Sequence, residues 1–191
     1  MGSAPLKAVL DANVLFPFSL RDTLLRAAAS GFFQLHWSEV ILEETTRNLV
    51  ATGRVTQEQA RRLYDAMTAH FPEAMVVGYE PLIATMPNQE KDRHVAAAAV
   101  AAEAQVIVTN NLKDFRLLPA GIVAKSPDTF LTELLEFDAE GMVELIRAQA
   151  RAHRKPARSM EELLRGLAKT APHFSAVVSQ HCEPGREDRK P

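Results

Sequence analysis

The sequence has few cysteines and no long apolar run. Cys182 is the single cysteine in 191 residues, which excludes an internal disulfide framework and is typical of a reducing cytoplasm. The stretch 95–102 is the longest in the alanine-rich middle without a polar residue, and a membrane-spanning helix needs about 20. The first residues lack the apolar segment of a signal peptide, and Leu6 breaks the myristoylation pattern. We therefore expect a cytoplasmic protein without a membrane anchor.

No charge of one sign dominates, because the formal net charge is only −2. The charge is nevertheless unevenly distributed. From Arg147 onward, 10 Lys and Arg face 5 Asp and Glu, whereas the preceding residues carry a net −7. An acidic body favours a cation site there. The basic end is open to phosphate binding, partner binding or simple solvation of helix surfaces.

Short apolar segments alternate with helical patterns over the first 137 residues. We predict strands over 6–10, 32–37, 106–109 and 122–124, with a further candidate over 75–77. Ser38, Thr56 and Ser126 each precede a predicted helix, and Thr56 opens a capping box. The central strands are apolar on both faces, which is typical of a parallel sheet covered by helices on both sides. The predicted fold is α/β, a three-layer α/β/α sandwich.

The strand signals stop after Phe137. A helix is predicted over 139–153, followed by a basic linker over 154–158. Ser159 begins a second capping box and a helix to about residue 169, and the structure beyond Pro172 is left open. We predict two parts, a body over 1–137 and a helical C-terminal extension over 138–191 with a disordered tail from residue 183.

Three aspartates stand where a site could form in such a sheet. Asp11 ends the first strand, Asp92 opens the helix before the third strand, and Asp114 follows that strand by a few residues. Sites in open α/β sheets form beyond the carboxyl ends of the strands. Taken singly, each residue also has an ordinary explanation, as a helix cap, a first-turn acid or a turn residue.

The helix after the second strand adds a fourth acid, Glu43 or Glu44. Ile41, Thr45 and Leu49 mark the side of this helix that faces the sheet. Glu44 lies beside that stripe, whereas Glu43 points further round, so Glu44 is the favoured candidate.

The acids Asp11, Glu44, Asp92 and Asp114 would repel one another if they shared a site, so the site would need a cation. Oxygen ligands suit Mg²⁺ or Mn²⁺, which can activate water and neutralise charge on a phosphoryl oxygen. The chemistry that this set indicates is hydrolysis of a phosphodiester.

Five motifs in this order resemble the PIN-domain family, and within it the VapC-type toxins. They lie at 9–15 (VLDANVL), 38–49, 91–98 (KDRHVAAA), 108–115 (VTNNLKDF) and 126–131 (SPDTFL), so the resemblance covers about two thirds of the chain. Each motif is short, and the ordered set is much more specific than any one of them.

The resemblance implies an α/β/α fold and a Mg²⁺- or Mn²⁺-dependent endoribonuclease. It implies cleavage of structured RNA such as tRNA or rRNA, inhibition by a cognate antitoxin, and a homodimer. The family's acidic positions carry over as catalytic and metal-binding residues onto Asp11, Glu44, Asp92 and Asp114, and its supporting polar positions onto Asn13, Thr109 and Asn111. Some members have an acid where this chain has Asn111, so the fourth acid here falls to Asp114. The helical extension resembles that of longer VapC-like proteins.

Other titratable residues of the chain suggest further contacts and alternative functions. His94 is expected to point away from Asp92, and Arg93, Lys113 and Arg116 could hold an RNA backbone or be solvated. The spacing of His173, His181 and Cys182 excludes a structural zinc site. A phosphoacceptor regulatory domain and a non-catalytic PIN-like binding module with a degraded site are the alternative functions.

Overall fold

A parallel sheet of four strands lies at the centre of the computed structural model, which describes residues 5–152 and 159–182. The strands are β1 (Lys7–Leu10), β2 (Gln34–His36), β3 (Val106–Val108) and β4 (Val123–Lys125). Their order in the sheet is β2-β1-β3-β4, so β1 and β3 are the inner strands. Residues Ala8–Leu10 and 106–108 of these two strands are almost completely buried, as expected of strands covered on both faces.

The register brings the carboxyl ends of the strands to one edge. Val9 pairs with His36 on one side and with Ile107 on the other, and Val108 pairs with Lys125. Asp11 and Thr109 directly follow β1 and β3, so both lie at that edge. This is the edge at which open α/β sheets form their sites.

Helices pack around this sheet and continue beyond it. The predicted caps are confirmed: Ser38 accepts from the Ile41 amide, and Thr56 and Ser159 both form complete capping boxes. The predicted α/β/α sandwich with C-terminal helices is also confirmed. The helices are α1 (Ala12–Leu15), α2 (Phe18–Ala29), α3 (Glu39–Ala51), α4 (Gln57–His70), α5 (Arg93–Ala101), α6 (Pro127–Phe137), α7 (Ala139–Ala152), α8 (Met160–Leu167) and α9 (Pro172–Cys182).

Two predictions of local structure need correction or completion. The candidate strand over 75–77 is wrong, since only an isolated bridge joins Met75 to Trp37. Gly78, which follows this segment, adopts a positive φ, a conformation typical of a turn and not of a continuing strand. The segment after Pro172 that the sequence left open forms α9.

The C-terminal helices share a continuous apolar core with the sheet layers. Phe174 and Val178 of α9 are fully buried in the same cluster as Leu10 of β1. Asp128, on α6, accepts hydrogen bonds from the His173 and Phe174 amides at 3.2 and 2.8 Å, and so caps α9. The division at residue 137 stays a prediction.

A buried polar contact fixes α7 to α2. The Gln149 side chain is fully buried; its Oε1 accepts from Thr23 Oγ1 at 2.8 Å, and its Nε2 donates to the Ser19 carbonyl at 3.2 Å. Buried polar groups need such partners, so this contact defines how the extension docks on the body.

The basic linker over 154–158 and the tail from residue 183 lie outside the described residues. Within the described ranges, no helix combines the length and apolar character needed to cross a membrane.

We expect Gln149→Leu to lower the free energy of unfolding by roughly 1–3 kcal/mol, because it leaves the Ser19 carbonyl without one of its donors and removes one of the two acceptors near Thr23 Oγ1. Chemical denaturation measures the change, with Gln180→Leu on the exposed side of α9 as the control. Equal stability of both variants would contradict the docking role of Gln149.

Candidate active site

Asp11 is the innermost acid at the carboxyl edge of the sheet. Its side chain is only 7% exposed and makes no capping hydrogen bond to α1. Instead, its Oδ2 accepts from Thr109 Oγ1 at 2.7 Å and from Asn13 Nδ2 at 2.5 Å. The carboxylate is therefore held in place by polar side chains from the two segments that follow β1 and β3.

Asn13 and Thr109 belong to a small hydrogen-bond network around Asp11. Asn13 Nδ2 lies 3.0 Å from Thr109 Oγ1, and the Asn110 amide donates to Asn13 Oδ1 at 2.9 Å. The Asn111 amide donates to Thr109 Oγ1 at 3.0 Å, while its own side chain is exposed. Thr109 thus accepts from two nitrogens, which directs its single proton toward Asp11.

The pKa of the Asp11 carboxyl is raised to about 6, and burial is the largest cause. The negative charges of Glu44 and Asp92 contribute to this rise, while hydrogen bonds from Thr109 Oγ1 and the Ala12 amide partly offset it. The charges of two acids from distant segments, α3 and the turn before α5, therefore act on Asp11.

The phase of α3 directs its two neighbouring acids to different sides. Glu44 Oε2 lies 3.8 Å from His94 Nε2, and Glu44 is close enough to raise the pKa of Asp11. Glu43 is exposed and lines a groove between α3 and α4, where its charge contributes to raising the pKa of Tyr64, after burial and Glu39. The structure therefore brings Glu44, and not Glu43, to the carboxyl edge.

Asp92 and Asp114 face each other across the ammonium group of Lys91. Lys91 Nζ lies 3.7 Å from Asp92 Oδ2 and 3.4 Å from Asp114 Oδ2. Burial raises the pKa of Asp92, the Lys91 charge opposes this, and Asp114 adds to it. Lys91 is thus an internal counterion for two nearly buried carboxylates, and both carboxylates raise its own pKa.

His94 lies at the site, contrary to the expectation that it points away from Asp92. The first turn of α5 places its ring next to Glu44, and its side chain is only 14% exposed. Burial lowers the pKa of His94, while Glu44 and Asp92 oppose that effect. The expectation was wrong because the chain through Asp92 is a short 3₁₀ turn (Glu90–Asp92), so regular α-helical spacing does not relate the two residues.

Asn88 is a buried site residue that the sequence analysis missed. Its side-chain Nδ2 donates to the backbone carbonyls of Asp114 and Leu117 at 3.0 and 3.3 Å. The backbone carbonyl of Asn88 accepts from Arg93 Nε at 3.0 Å. Asn88 therefore ties the turn carrying Asp114 to the start of α5, next to Asp92. An asparagine after Pro87 is typical of a turn. The neighbouring sequence does not show whether its side chain is exposed or, as here, buried and hydrogen-bonded to a distant segment.

Arg93, Lys113 and Arg116 are the three residues that the sequence suggested as contacts for an RNA backbone. Arg93 is partly buried against Asn88, whereas Lys113 and Arg116 are exposed on the segment around Asp114.

The donor set fits a hard cation chemically. The buried Asp92 Oδ2 has no hydrogen-bond partner among the described residues, and the Lys91 ammonium already stands as a cation between Asp92 and Asp114. These acids do not form a complete metal site in this structure. Within 5–152 and 159–182, no three His, Cys, Asp or Glu side chains lie close enough together to hold a metal ion. Metal binding would therefore require the carboxylates to approach one another.

Comparison with known proteins assigns the family. A family model described as "PIN domain" matches residues 7–113, and another described as "VapC50 C-terminal domain" matches residues 127–180. The chain belongs to the PIN-domain family, and the prediction of a VapC-type member with a C-terminal extension is confirmed. This assignment argues against the phosphoacceptor alternative.

A curated relative is the protein named "Putative ribonuclease VapC50" from Mycobacterium tuberculosis (strain ATCC 25618 / H37Rv). It is 42% identical over 106 residues, which are 54% of this chain and 63% of that protein. The match therefore spans slightly less than two thirds of the relative's length. No solved structure matches the chain.

We expect Asp11→Asn to stabilise the metal-free protein at pH 7.5 by roughly 1–3 kcal/mol. The folded pKa of about 6 lies above the ordinary value of 3.8, so the folded state binds more protons between these values and wild-type stability falls as the pH rises through them. The gain should vanish below that window. Thermal unfolding across pH tests this, with the exposed Asp65→Asn as control; destabilisation by Asp11→Asn at pH 7.5 would contradict it.

We expect Lys91→Met to tighten Mn²⁺ binding roughly threefold to tenfold, because the ion no longer competes with the ammonium group for Asp92 and Asp114. Calorimetric titration with Mn²⁺ measures the affinity. Lys113→Met is the matched control, since Lys113 is exposed and has no ion pair in the described part of the chain. An unchanged or weaker affinity of the Lys91 variant would show that Lys91 does not compete with the metal.

Proposed function

We propose that this protein is an endoribonuclease that depends on Mg²⁺ or Mn²⁺ and acts as the toxin of a type II toxin–antitoxin pair. The observation that carries the proposal is the Asp11 carboxylate held by Thr109 at the carboxyl edge of a PIN-domain sheet, where the charges of Glu44 and Asp92 act on it and Asp92 shares the Lys91 ammonium with Asp114. The name of the VapC50 relative supports ribonuclease activity. Metal dependence, the RNA and the antitoxin are parts of the proposal.

Asp11, Glu44, Asp92 and Asp114 are the residues that would hold the metal. A bound Mg²⁺ or Mn²⁺ supplies Lewis-acid activation of water and neutralises charge on the phosphoryl group. Asn13 and Thr109 hold the Asp11 carboxylate in one orientation, and the Asn111 amide fixes the Thr109 hydroxyl. Asn88 holds the backbone of Asp114 near the start of α5.

Lys91 has two states in this proposal. Without metal it neutralises Asp92 and Asp114; with metal bound, its flexible and 63% exposed side chain is released toward the solvent side of the site. A lysine beside a phosphodiester site can then pair with a backbone phosphate. Exposed Lys113 and Arg116 extend positive charge along the same edge.

The substrate we propose is structured RNA of the tRNA or rRNA class, the protein partner a cognate antitoxin, and the assembly a homodimer. These follow from the VapC-type family, and a cytoplasmic location remains a prediction with them. The alternative is a non-catalytic PIN-like module that binds RNA or protein through a degraded metal site. The retained acids and their supporting hydrogen bonds favour the enzyme.

We expect the purified protein to cut RNA at discrete positions with Mg²⁺ or Mn²⁺ and not with EDTA. Asp11→Asn and Asp92→Asn should each lose at least about a hundredfold in rate, since each removes a charged metal ligand. Total RNA analysed by end mapping reveals the cuts, and tRNA and rRNA are then tested separately.

The neighbouring glutamates provide the matched control. Glu44→Gln should lose activity, whereas Glu43→Gln on the α3–α4 groove should retain it. Folded protein that binds metal but cuts no RNA would favour the non-catalytic module. Equal cleavage by wild type and the aspartate variants would contradict the site assignment.

A further inference from the structure

Phe16 and Arg54 form a cation–π pair at the far end of the short helix that follows Asp11. The Arg54 guanidinium carbon lies 4.7 Å from the centroid of the Phe16 ring. Phe16 is partly exposed and Arg54 is exposed. Such a cation–π contact holds a surface arginine in one place although it has no carboxylate partner.

Phe16 has a rigid backbone support. Its amide donates to the Ala12 carbonyl at 3.1 Å, which closes the turn of α1. The nearly buried Arg21 donates from Nη1 to the carbonyls of Leu15 and Phe16 at 2.7 and 3.3 Å. The backbone of Phe16 is therefore fixed at the end of α1, where the Arg21 guanidinium caps the last carbonyls.

Phe16 and Arg54 lie just after the ends of α1, which follows Asp11, and α3, which contains Glu44. Asp11 directly precedes α1 and Phe16 directly follows it; Glu44 lies in α3, and Arg54 follows Gly53 just after that helix. With a rise of about 1.5 Å per residue, α1 separates Asp11 from Phe16 by roughly 6–8 Å along its axis. That is the distance scale of one or two nucleotides along an RNA strand.

The positive charge of Arg54 is suited to an anionic partner. Among the described residues, Arg54 has no salt bridge and no side-chain hydrogen bond, so all its side-chain N–H groups are available. The guanidinium carbon lies over the Phe16 ring, and Arg54 is otherwise exposed. A planar cation of this kind stacks on nucleobases and donates to phosphate oxygens.

We propose that Phe16 and Arg54 form a binding subsite for an RNA nucleotide adjacent to the bond that is cut, with the base stacked on the guanidinium or its phosphate held by the N–H edge. The proposal deepens the proposed function and rests on it. Phe16 holds the Arg54 guanidinium in position, and neither residue takes part in the metal chemistry.

RNA binding by inactive protein tests the subsite without requiring cleavage. In an Asp11→Asn background, Arg54→Met should weaken binding of a fluorescein-labelled single-stranded RNA of mixed sequence roughly fivefold to thirtyfold. It should also reduce the slope of log affinity against log salt by about 0.7, the loss of one phosphate contact. Arg54→Lys should retain the slope and lose part of the affinity, because lysine keeps the charge without the planar stack.

Matched variants separate the subsite from general effects of charge or folding. Arg61→Met removes an equally exposed arginine from α4 that has no ion pair in the described part of the chain, and it should leave RNA affinity within twofold. Phe16→Leu should weaken RNA binding by freeing Arg54, with the salt slope largely kept. Mn²⁺ affinity, measured in the variants with intact Asp11, should not change.

The outcomes distinguish this proposal from the nuclease itself. Equal RNA affinity and salt slope for the Arg54→Met and Arg61→Met variants would overturn the subsite, even if the wild type cuts RNA. An Arg54 effect that disappears when only the folded fraction is counted would overturn it as well. A specific Arg54 effect in a protein that never cuts RNA would support the subsite and refute the nuclease.

Discussion

Mutual repulsion among carboxylates at one edge of the sheet is the constraint around which this site is built. Asp11 is nearly buried, and the charges of Glu44 and Asp92 add to the burial that raises its pKa to about 6. Such an arrangement costs stability unless the protein supplies compensating contacts. Thr109 and Asn13 supply them at Asp11. Lys91 supplies them at Asp92 and Asp114.

The fold makes this arrangement possible by bringing short segments together from distant parts of the chain. Parallel pairing of β1 with β3 places Asp11 beside Thr109, which is far away in sequence. The Asn88 side chain then ties the turn of Asp114 to the segment that leads into α5. The C-terminal helices are fixed by two polar contacts: Gln149 of α7 binds α2, and Asp128 of α6 caps α9.

Periodicity and capping residues carried most of the fold prediction. The apolar runs at β1 and β3 predicted the parallel sheet, and Ser38 and Thr56 marked helix starts that the structure confirms. The stripe of Ile41, Thr45 and Leu49 was enough to distinguish the direction of Glu44 from that of Glu43. These features can be predicted from the sequence because they depend on residues within one or two helical turns of one another.

Long-range and irregular features were not readable in the same way. His94 was misplaced because a 3₁₀ turn precedes α5, and the role of Asn88 depends on a turn more than twenty residues away. The ammonium of Lys91 between two carboxylates is likewise a tertiary contact, and the same lysine in isolation suggests only a solvated side chain. The metal-binding role of the four acids remains a prediction that combines pattern and geometry.

Anomalous diffraction from crystals of the protein grown with Mn²⁺ would locate the bound ion. We expect a Mn²⁺ peak coordinated by Asp11 and Asp92, with Lys91 Nζ moved away from Asp92 and Asp114. A Mn²⁺ peak elsewhere, or an ordered Lys91 still bridging the two aspartates at saturating Mn²⁺, would contradict it.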